Sequence, residues 1–497
     1  MPTNSYELIV LGDALPGLVC AALCARRGLR TLVLADETRP ARYPLGALRL
    51  PTAPGVLPGR GAGAAARIVR ELGLDHALKR KVREARVSAQ VVGPDARIDL
   101  SSEAAAQARE LVRELPGATE RVLAAWDQAG EIAKLGDALL AGDDAFPGTG
   151  FFERRDAVKQ ATRATEAAAA WWQPLADSGL AAALTALPAA AGGRAVEPPP
   201  LAIARALELW RAGAPGLRGD GTGLRELLIE KLTGAGGELR AGVASELVAG
   251  WTKLNAVRLV SGEELGAGQV VAALPVGELV PLFGKKPPKR LVELAAASAI
   301  AGWGYAINLV VDAAAVPEGM APVVLAVEDP SAPLVGTNAI VLHAGEPDDQ
   351  GRVIITVTAT VPRGDDATPP DAAALRGFRA RLLDRVEELV PFAQSHLVVM
   401  HSPYDGVAPV VPGGRGGFDP PPPAQLPAIW RPTLDGGLGL AGAPYATGVK
   451  HLTLASSQVL PGLGQDGELA VGWNAARIAC GIAGKKRDYL RDEVVST

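Results

Sequence analysis

The 497-residue chain is poor in cysteine, histidine and aromatic residues, and neither sign of charge is in surplus. Three cysteines cannot build a disulfide framework. Cys20 and Cys24 stand one helical turn apart, and C-x3-C with no His or Cys nearby is a poor metal site, so both read as small residues packed against a sheet. The five histidines, at 76, 343, 396, 401 and 451, have no metal-ligand spacing, and His396 and His401 flank the strand-like "LVVM", which argues against a zinc enzyme. Fifty Lys and Arg against 54 Asp and Glu give a formal charge of −4 and no basic footprint, which sets nucleic acid aside as a partner. There is no G-x-S-x-G elbow and no P-loop. Nothing before Gly12 supplies a basic leader, and Glu7 and Asp13 interrupt the apolar stretch, so the expectation is a cytoplasmic protein. The longest charge-free run, 294–311, contains Ser298, Gly302, Gly304 and Asn308 and reads as a helix end followed by the strand "GYAINLVV" rather than a membrane span.

Against these absences, 48% of the residues are hydrophobic and 21% charged, and the length allows two or three cores. "YELIVL" (6–11) is a short apolar run ending at a glycine, 15–28 carries helical apolar spacing, and "RTLVLADE" (30–37) is a second strand, together a βαβ unit. From about 64 to 180 the pattern reads as a helical, Ala/Arg/Glu-rich insertion that includes "AAAAWWQPL" (167–175), with a break at 189–200. Alternation of helix and short strands returns over 218–275. A strand at 352–361 and a helix at 375–390 then indicate a second, α+β unit. "PGGRGGFDPPPPAQLP" (412–427) reads as a solvated connector, and 449–484 as strand, glycine loop and helix.

The loop "GDALPG" (12–17) sits between a strand and a helix, as a Rossmann dinucleotide loop does. Its three glycine places hold Gly12, Ala14 and Gly17, so one methyl stands where phosphate oxygens approach backbone N–H groups at a helix start. The acid that would take the ribose hydroxyls falls by spacing at Ala35, followed by Asp36 and Glu37. A one-residue shift lets Asp36 serve; without it both acids are strand-end solvent residues. "GRGAG" (59–63) has no strand ahead of it and reads as a loop.

The N-terminal βαβ, "RGDGTGL" (218–224), "GVASELV" (242–248), "VVAALP" (270–275) and "LASSQVLPGLGQDGE" (454–468) follow the order and spacing of the FAD-dependent phytoene desaturase and amine oxidase superfamily, which the chain resembles. The resemblance covers most of the chain and is specific over about 130 residues. It implies an α/β fold: a discontinuous Rossmann-like FAD-binding domain (GR2-type) from 1–75, 215–290 and 428–497, with an inserted α+β substrate domain from 76–214 and 291–427. It implies further that Gly12, Ala14 and Gly17 face the FAD pyrophosphate and that the backbone of Val243 holds the adenine. Gly462, Gly464 and Gly467 of the "PGLGQDGE" loop would let amides approach the flavin and ribityl chain, with Ser456 and Ser457 where Gly or Gly-Asp is usual and Leu460 where His is common.

The departures thus gather on the cofactor, while the glycines at 12, 17, 462, 464 and 467 speak for its retention. The resemblance implies an FAD-dependent oxidoreductase transferring hydride from an apolar, isoprenoid-like small molecule to the flavin, with Trp171, Trp172, Trp210, Trp303 and Tyr305 as pocket or core aromatics. No catalytic lysine stands out, and Lys285, Lys286 and Lys289 read as a solvated loop. The competing expectation is a non-catalytic subunit that keeps the fold, has lost FAD and works through a related partner. An NAD(P)-dependent dehydrogenase would leave the "PGLGQDGE" loop without a job. Peripheral membrane contact would suit an apolar substrate, but no basic amphipathic helix supports it, and a homo-oligomer is neither indicated nor opposed.

Overall fold

A computed structural model of the chain describes residues 5–53, 63–83, 87–141, 145–148, 151–193, 197–213, 216–217, 223–249, 254–364, 368–414 and 418–485. Residues 59–62 of the "GRGAG" stretch and 218–222 of "RGDGTGL" lie outside them.

A five-stranded parallel sheet carries the first unit. Its strands in chain order are β1 (Leu8–Leu11), β2 (Thr31–Ala35), β3 (Glu238–Ala241), β4 (Val270–Ala272) and β5 (Leu452–Leu454), and across the sheet they run β3-β2-β1-β4-β5. β1, β4 and β5 are buried at every residue, as expected of parallel strands covered on both faces. Three helices flank the sheet: α1 (Leu15–Arg26), α2 (Gly223–Gly234) and α3 (Gly464–Ile482), with α1 packed on both of the others. Where α1 crosses α3, a Cβ on Gly472 would come within 2.7 Å of the Pro16 carbonyl oxygen, so only glycine permits the approach. Cys20, Cys24 and Cys480 are buried at that contact. A meander of Ala244–Ala249, Leu254–Leu259 and Glu264–Ala267 joins Ser5–Tyr6 in a smaller sheet.

The inserted unit is built on a second, eight-stranded sheet. Its longest strand, Ile300–Asp312, pairs along its length with Arg352–Pro362, and the helix Ala372–Leu389 packs nearby against Gly336–Ala344. The α/β class and the Rossmann-like core with an inserted α+β unit are those expected.

One reading needs correction. The stretch 64–180 is not wholly helical: Val87–Val92 and Arg97–Ser101 form a hairpin that extends the second sheet, paired in parallel with Val323–Val327. The turn signal Gly93-Pro94-Asp95 and the run "VSAQVV" were in the sequence, outweighed by the Ala-rich helices on either side. Those helices, among them Thr119–Ala141, Phe151–Ala176, Leu180–Gly193 and Pro200–Arg211, pack together beside the sheet, with Trp126, Trp171 and Trp210 in their core. Among the described residues no helix is long and apolar enough to cross a membrane.

Candidate functional site

A cavity of about 1030 Å³ opens at the carboxyl ends of β1, β2 and β4 and runs into the second unit. The carboxyl edge of a parallel sheet is where open α/β folds bind ligands. The first contributor is the turn after β1. Gly12 has φ +84°, a left-handed backbone that favours glycine, and a Cβ there would meet the Leu274 side chain at 2.8 Å. Ala14 is the residue before α1, and with Gly12, Asp13 and Leu15 it lines the cavity. Pro16 occupies the first turn, so one of the N–H groups a helix start offers is missing. Gly17 faces away from the cavity, its would-be Cβ 2.6 Å from that of Ala273.

The charge at this turn comes from side chains. Arg225, in the first turn of α2, bonds both the Asp13 carboxylate and the Asp13 carbonyl oxygen. Both residues line the cavity, and burial lowers the Arg225 guanidinium to about 10, which leaves it cationic at neutral pH.

Ala35 ends β2 without a polar group, and Asp36 lines the cavity with its carboxylate engaged. It accepts from the Thr38 backbone N–H at 2.9 Å, the Thr38 hydroxyl at 2.6 Å and Arg39 at 3.1 Å. Arg39 also reaches Glu278 at 3.0 Å and Gln425 at 2.7 Å, tying the strand end to the 412–427 segment. Val243 is 52% exposed and does not line the cavity; its carbonyl oxygen accepts from the Val260 N–H at 2.9 Å.

The terminal loop divides in the same way as the first. Ser456, Ser457 and Gly464 line the cavity, and Gly464 has φ +54°. Gly462 and Gly467 point into the protein, where added Cβ atoms would meet the Gly439 carbonyl oxygen at 2.5 Å and the Leu460 carbonyl oxygen at 2.4 Å. These two glycines and Gly17 are demanded by packing, so their presence in the sequence does not speak for a bound cofactor. Behind the loop, Asp466 pairs with the buried Arg205 at 2.6 Å, and Arg205 also holds Asp137 at 2.9 Å.

Gln458 was not singled out by sequence and is 1% exposed in the cavity wall. Its Oε1 accepts the Val276 N–H at 2.6 Å, which fixes the amide's orientation, and its Nε2 has no partner. A buried amide donor without an acceptor is costly, and this nitrogen has no surface open to the cavity.

The second unit closes the far end with Trp303, Trp430, Ile300, Leu375 and Tyr404. Of the aromatics named from sequence, Trp303 lines the cavity, whereas Trp171 and Trp210 are core. The 412–427 segment is not simply a solvated connector: 415–417 lie outside the described residues, while Pro423 to Pro427 form cavity wall. Asp405, its side chain wholly buried, accepts from Tyr305 at 2.6 Å and Arg379 at 3.1 Å, and its carboxylate holds the Val407 N–H at 2.9 Å. Burial pushes the Tyr305 hydroxyl above its usual range, so it stays a donor to Asp405. Arg225, Gln458, Tyr404 and Asp405 carry no local motif; only the chain's path brings them to one cavity. Among the described residues no cluster of His, Cys, Asp and Glu could hold a metal ion.

A flavin dinucleotide can be tested against this geometry. The cavity matches the upper end of the usual range for ligand pockets, about 300–1,000 Å³, and it joins the α1 start to the terminal loop and the aromatic end. Arg225, paired with Asp13, is the cation nearest the α1 start. The ribose acid is missing at Ala35. The residues thus fit the group in extent; Asp13, Asp36, Glu278, Asp405 and Glu468 share the lining with Arg39 and Arg225, so a diphosphate meets a wall whose cations are already paired.

The sequence matches no protein-family model and no curated protein. Solved structures do share its fold along nearly the whole chain. A protein of Pyrococcus furiosus is 14% identical with a TM-score of 0.58, covering 97% of this chain and 98% of its own. A putrescine oxidase redesigned in its cofactor binding is 16% identical with a TM-score of 0.57, over 97% and 100%. An oxidoreductase of Methanosarcina mazei is 14% identical with a TM-score of 0.56, over 94% and 98%. At this identity the likeness establishes the fold.

Proposed function

We propose that the chain is a flavin-dependent oxidoreductase that holds FAD along the α1 start and the terminal loop and takes an apolar, isoprenoid-like molecule at the Trp303–Trp430 end. The observation that carries the reading is the continuity of the cavity from Gly12–Leu15, past Ser457 and Gly464, to those tryptophans. A redox cofactor and its substrate must share one enclosed space, and this one joins a dinucleotide loop to an apolar chamber. The fold shared with oxidoreductases supports the same reading.

In this arrangement the diphosphate lies at the α1 start beside Arg225, and Ser456 and Ser457 border the loop at Gly464. Bound flavin supplies a hydride acceptor. The protein's own work is to hold a substrate C–H against that acceptor and keep water out, and Trp303, Ile300 and Leu375 provide the dry surface. The test is anaerobic: the FAD-loaded chain is mixed with an isoprenoid hydrocarbon and, separately, with putrescine. Bleaching of the flavin band by the hydrocarbon alone is expected; bleaching by the diamine alone would move the substrate class to amines.

One observation favours a second reading. The Asp13 carboxylate stands at the α1 start paired with Arg225, and Asp36 accepts from Thr38 and Arg39, so both carboxylates have partners within the chain without a cofactor. That state suits a subunit that keeps the fold, has no flavin and acts through a protein partner. Failure to bind FAD under any condition would select it.

A further inference from the structure

We infer that Asp13 and Arg225 form an exchangeable ion pair, in which Asp13 holds the place of a phosphate and a dinucleotide diphosphate enters by taking the Arg225 guanidinium from it. The inference rests on the dinucleotide reading above and adds to it the residues that set affinity.

Asp13 lies between Gly12 and Ala14 at the opening of α1, where the positive end of the helix favours an anion. Arg225 lies in the first turn of α2, where a cation works against the helix dipole. Helix stability therefore does not explain Arg225; an anion across the gap does. It is bound to that anion through two nitrogens, one on the carboxylate and one on the carbonyl oxygen, in a cavity wall that has desolvated it. A planar guanidinium offers the same two-pronged contact to a phosphate.

The backbone at this turn is a weak phosphate cradle. The Ala14 methyl stands where a glycine gives access, and Pro16 removes one N–H from the helix start. Side-chain charge must then supply what the amides do not. The independent sign that a ligand belongs here is the cavity itself, about 1030 Å³, which both Asp13 and Arg225 line.

The exchange makes affinity a contest between two anions for one cation. Asp13 repels an incoming diphosphate and must release Arg225 to admit it. Removing the Asp13 charge should tighten binding, and removing Arg225 should weaken it.

The experiment titrates the full chain with FAD and, separately, with ADP, reading flavin fluorescence for the first and the ligand-induced rise in Tm for both. Relative to the unmodified chain, Asp13→Asn should bind both ligands about fivefold or more tighter, and Arg225→Gln about tenfold or more weaker. Arg225→Lys should fall between, since an ammonium keeps the charge and loses the fork. Added salt should weaken binding to the unmodified chain and leave the residual binding of Arg225→Gln nearly unchanged. Because Arg225→Gln leaves Asp13 unpaired, the double variant Asp13→Asn/Arg225→Gln serves as the folding control. It should unfold near the unmodified Tm and still bind more weakly than Asp13→Asn.

Affinities for FAD and ADP that ignore both substitutions would overturn the exchange and leave the flavin reading standing. ADP affinities in the expected order with no FAD bound would uphold the exchange and remove the flavin. Binding of neither ligand by any of these chains would overturn both.

Discussion

The turn from Gly12 to Gly17 and the stretch from Ser456 to Gly467 serve opposite ends of the chain, yet each has an inner and an outer side that obey different rules. On the inner side, Gly17, Gly462 and Gly467 have no room for a methyl: Ala273 and two carbonyl oxygens stand 2.4–2.6 Å from the place a Cβ would take. On the outer side, Ala14 and Ser457 face a cavity of about 1030 Å³ and meet no such limit. The inner glycines are fixed by the fold, as is Gly12 by its φ of +84°, whereas Ala14 and Ser457 are free to follow a ligand. A glycine motif read from sequence mixes the two, and only the outer half reports on what is bound.

Substitutions separate the two sides. The largest effect is expected at the far end of the same cavity, where the wall is not free to vary. Asp405→Ala strands the buried Arg379 and removes the Tyr305 acceptor, and should cost about 3–5 kcal/mol in denaturant unfolding. A loss below 1 kcal/mol would show that this carboxylate is not part of the scaffold.

Next come the inner glycines. Gly467→Ala and Gly17→Ala should each lose about 1–3 kcal/mol, read as a lower midpoint with an unchanged denaturant slope, because neither the Leu460 carbonyl nor the Ala273 Cβ can move aside as a long side-chain tip can. Neutral behaviour of both would erase the inner half of the contrast. The outer positions should behave otherwise: Ser457→Ala should stay within about 0.5 kcal/mol in stability, its effect appearing in ligand affinity alone. A stability loss as large as that of Gly467→Ala would erase the outer half.

The smallest effect tests a polar cluster away from both loops. His401 is buried beside the Tyr43 hydroxyl at 3.2 Å, and burial pushes its imidazole below the usual value. The unfolded chain therefore takes up a proton first as pH falls, so the stability tied to neutral His401 is complete above about pH 6.5 and drains away as pH drops toward the folded value. His401→Gln should flatten that acid slope in a Tm-against-pH series; an unchanged slope would assign it to other groups.

Much of the fold was legible because its signals are local. "LIVL", "TLVLA" and "VVA" are short apolar runs bounded by turn residues, and parallel strands covered on both faces have to look like that. The hairpin at Val87–Ser101 has its own run and turn signal, but they are short and set among long alanine-rich helices whose pattern dominates that stretch. At the site, Gly12, Ala14 and Asp36 could be found from spacing and Ser456, Ser457 and Gly464 from the family resemblance, and all meet in one cavity. Arg225, Gln458 and Asp405 could not. Their role depends on a partner 212 residues away, on an amide fixed by a distant N–H, and on a pocket floor made by the second sheet. Nor could sequence tell that Asp36 is already committed to Thr38 and Arg39.

The most direct test of the central claim is whether the chain keeps a flavin. The purified protein is incubated with excess FAD, passed through a gel-filtration column, and its visible spectrum recorded alongside the protein absorbance. The cavity and its Arg225 cation predict oxidised-flavin absorbance eluting with the protein at about one flavin per chain. A colourless protein with no rise in Tm in the presence of FAD would contradict the account and leave a Rossmann-like fold that fills its own phosphate site with Asp13.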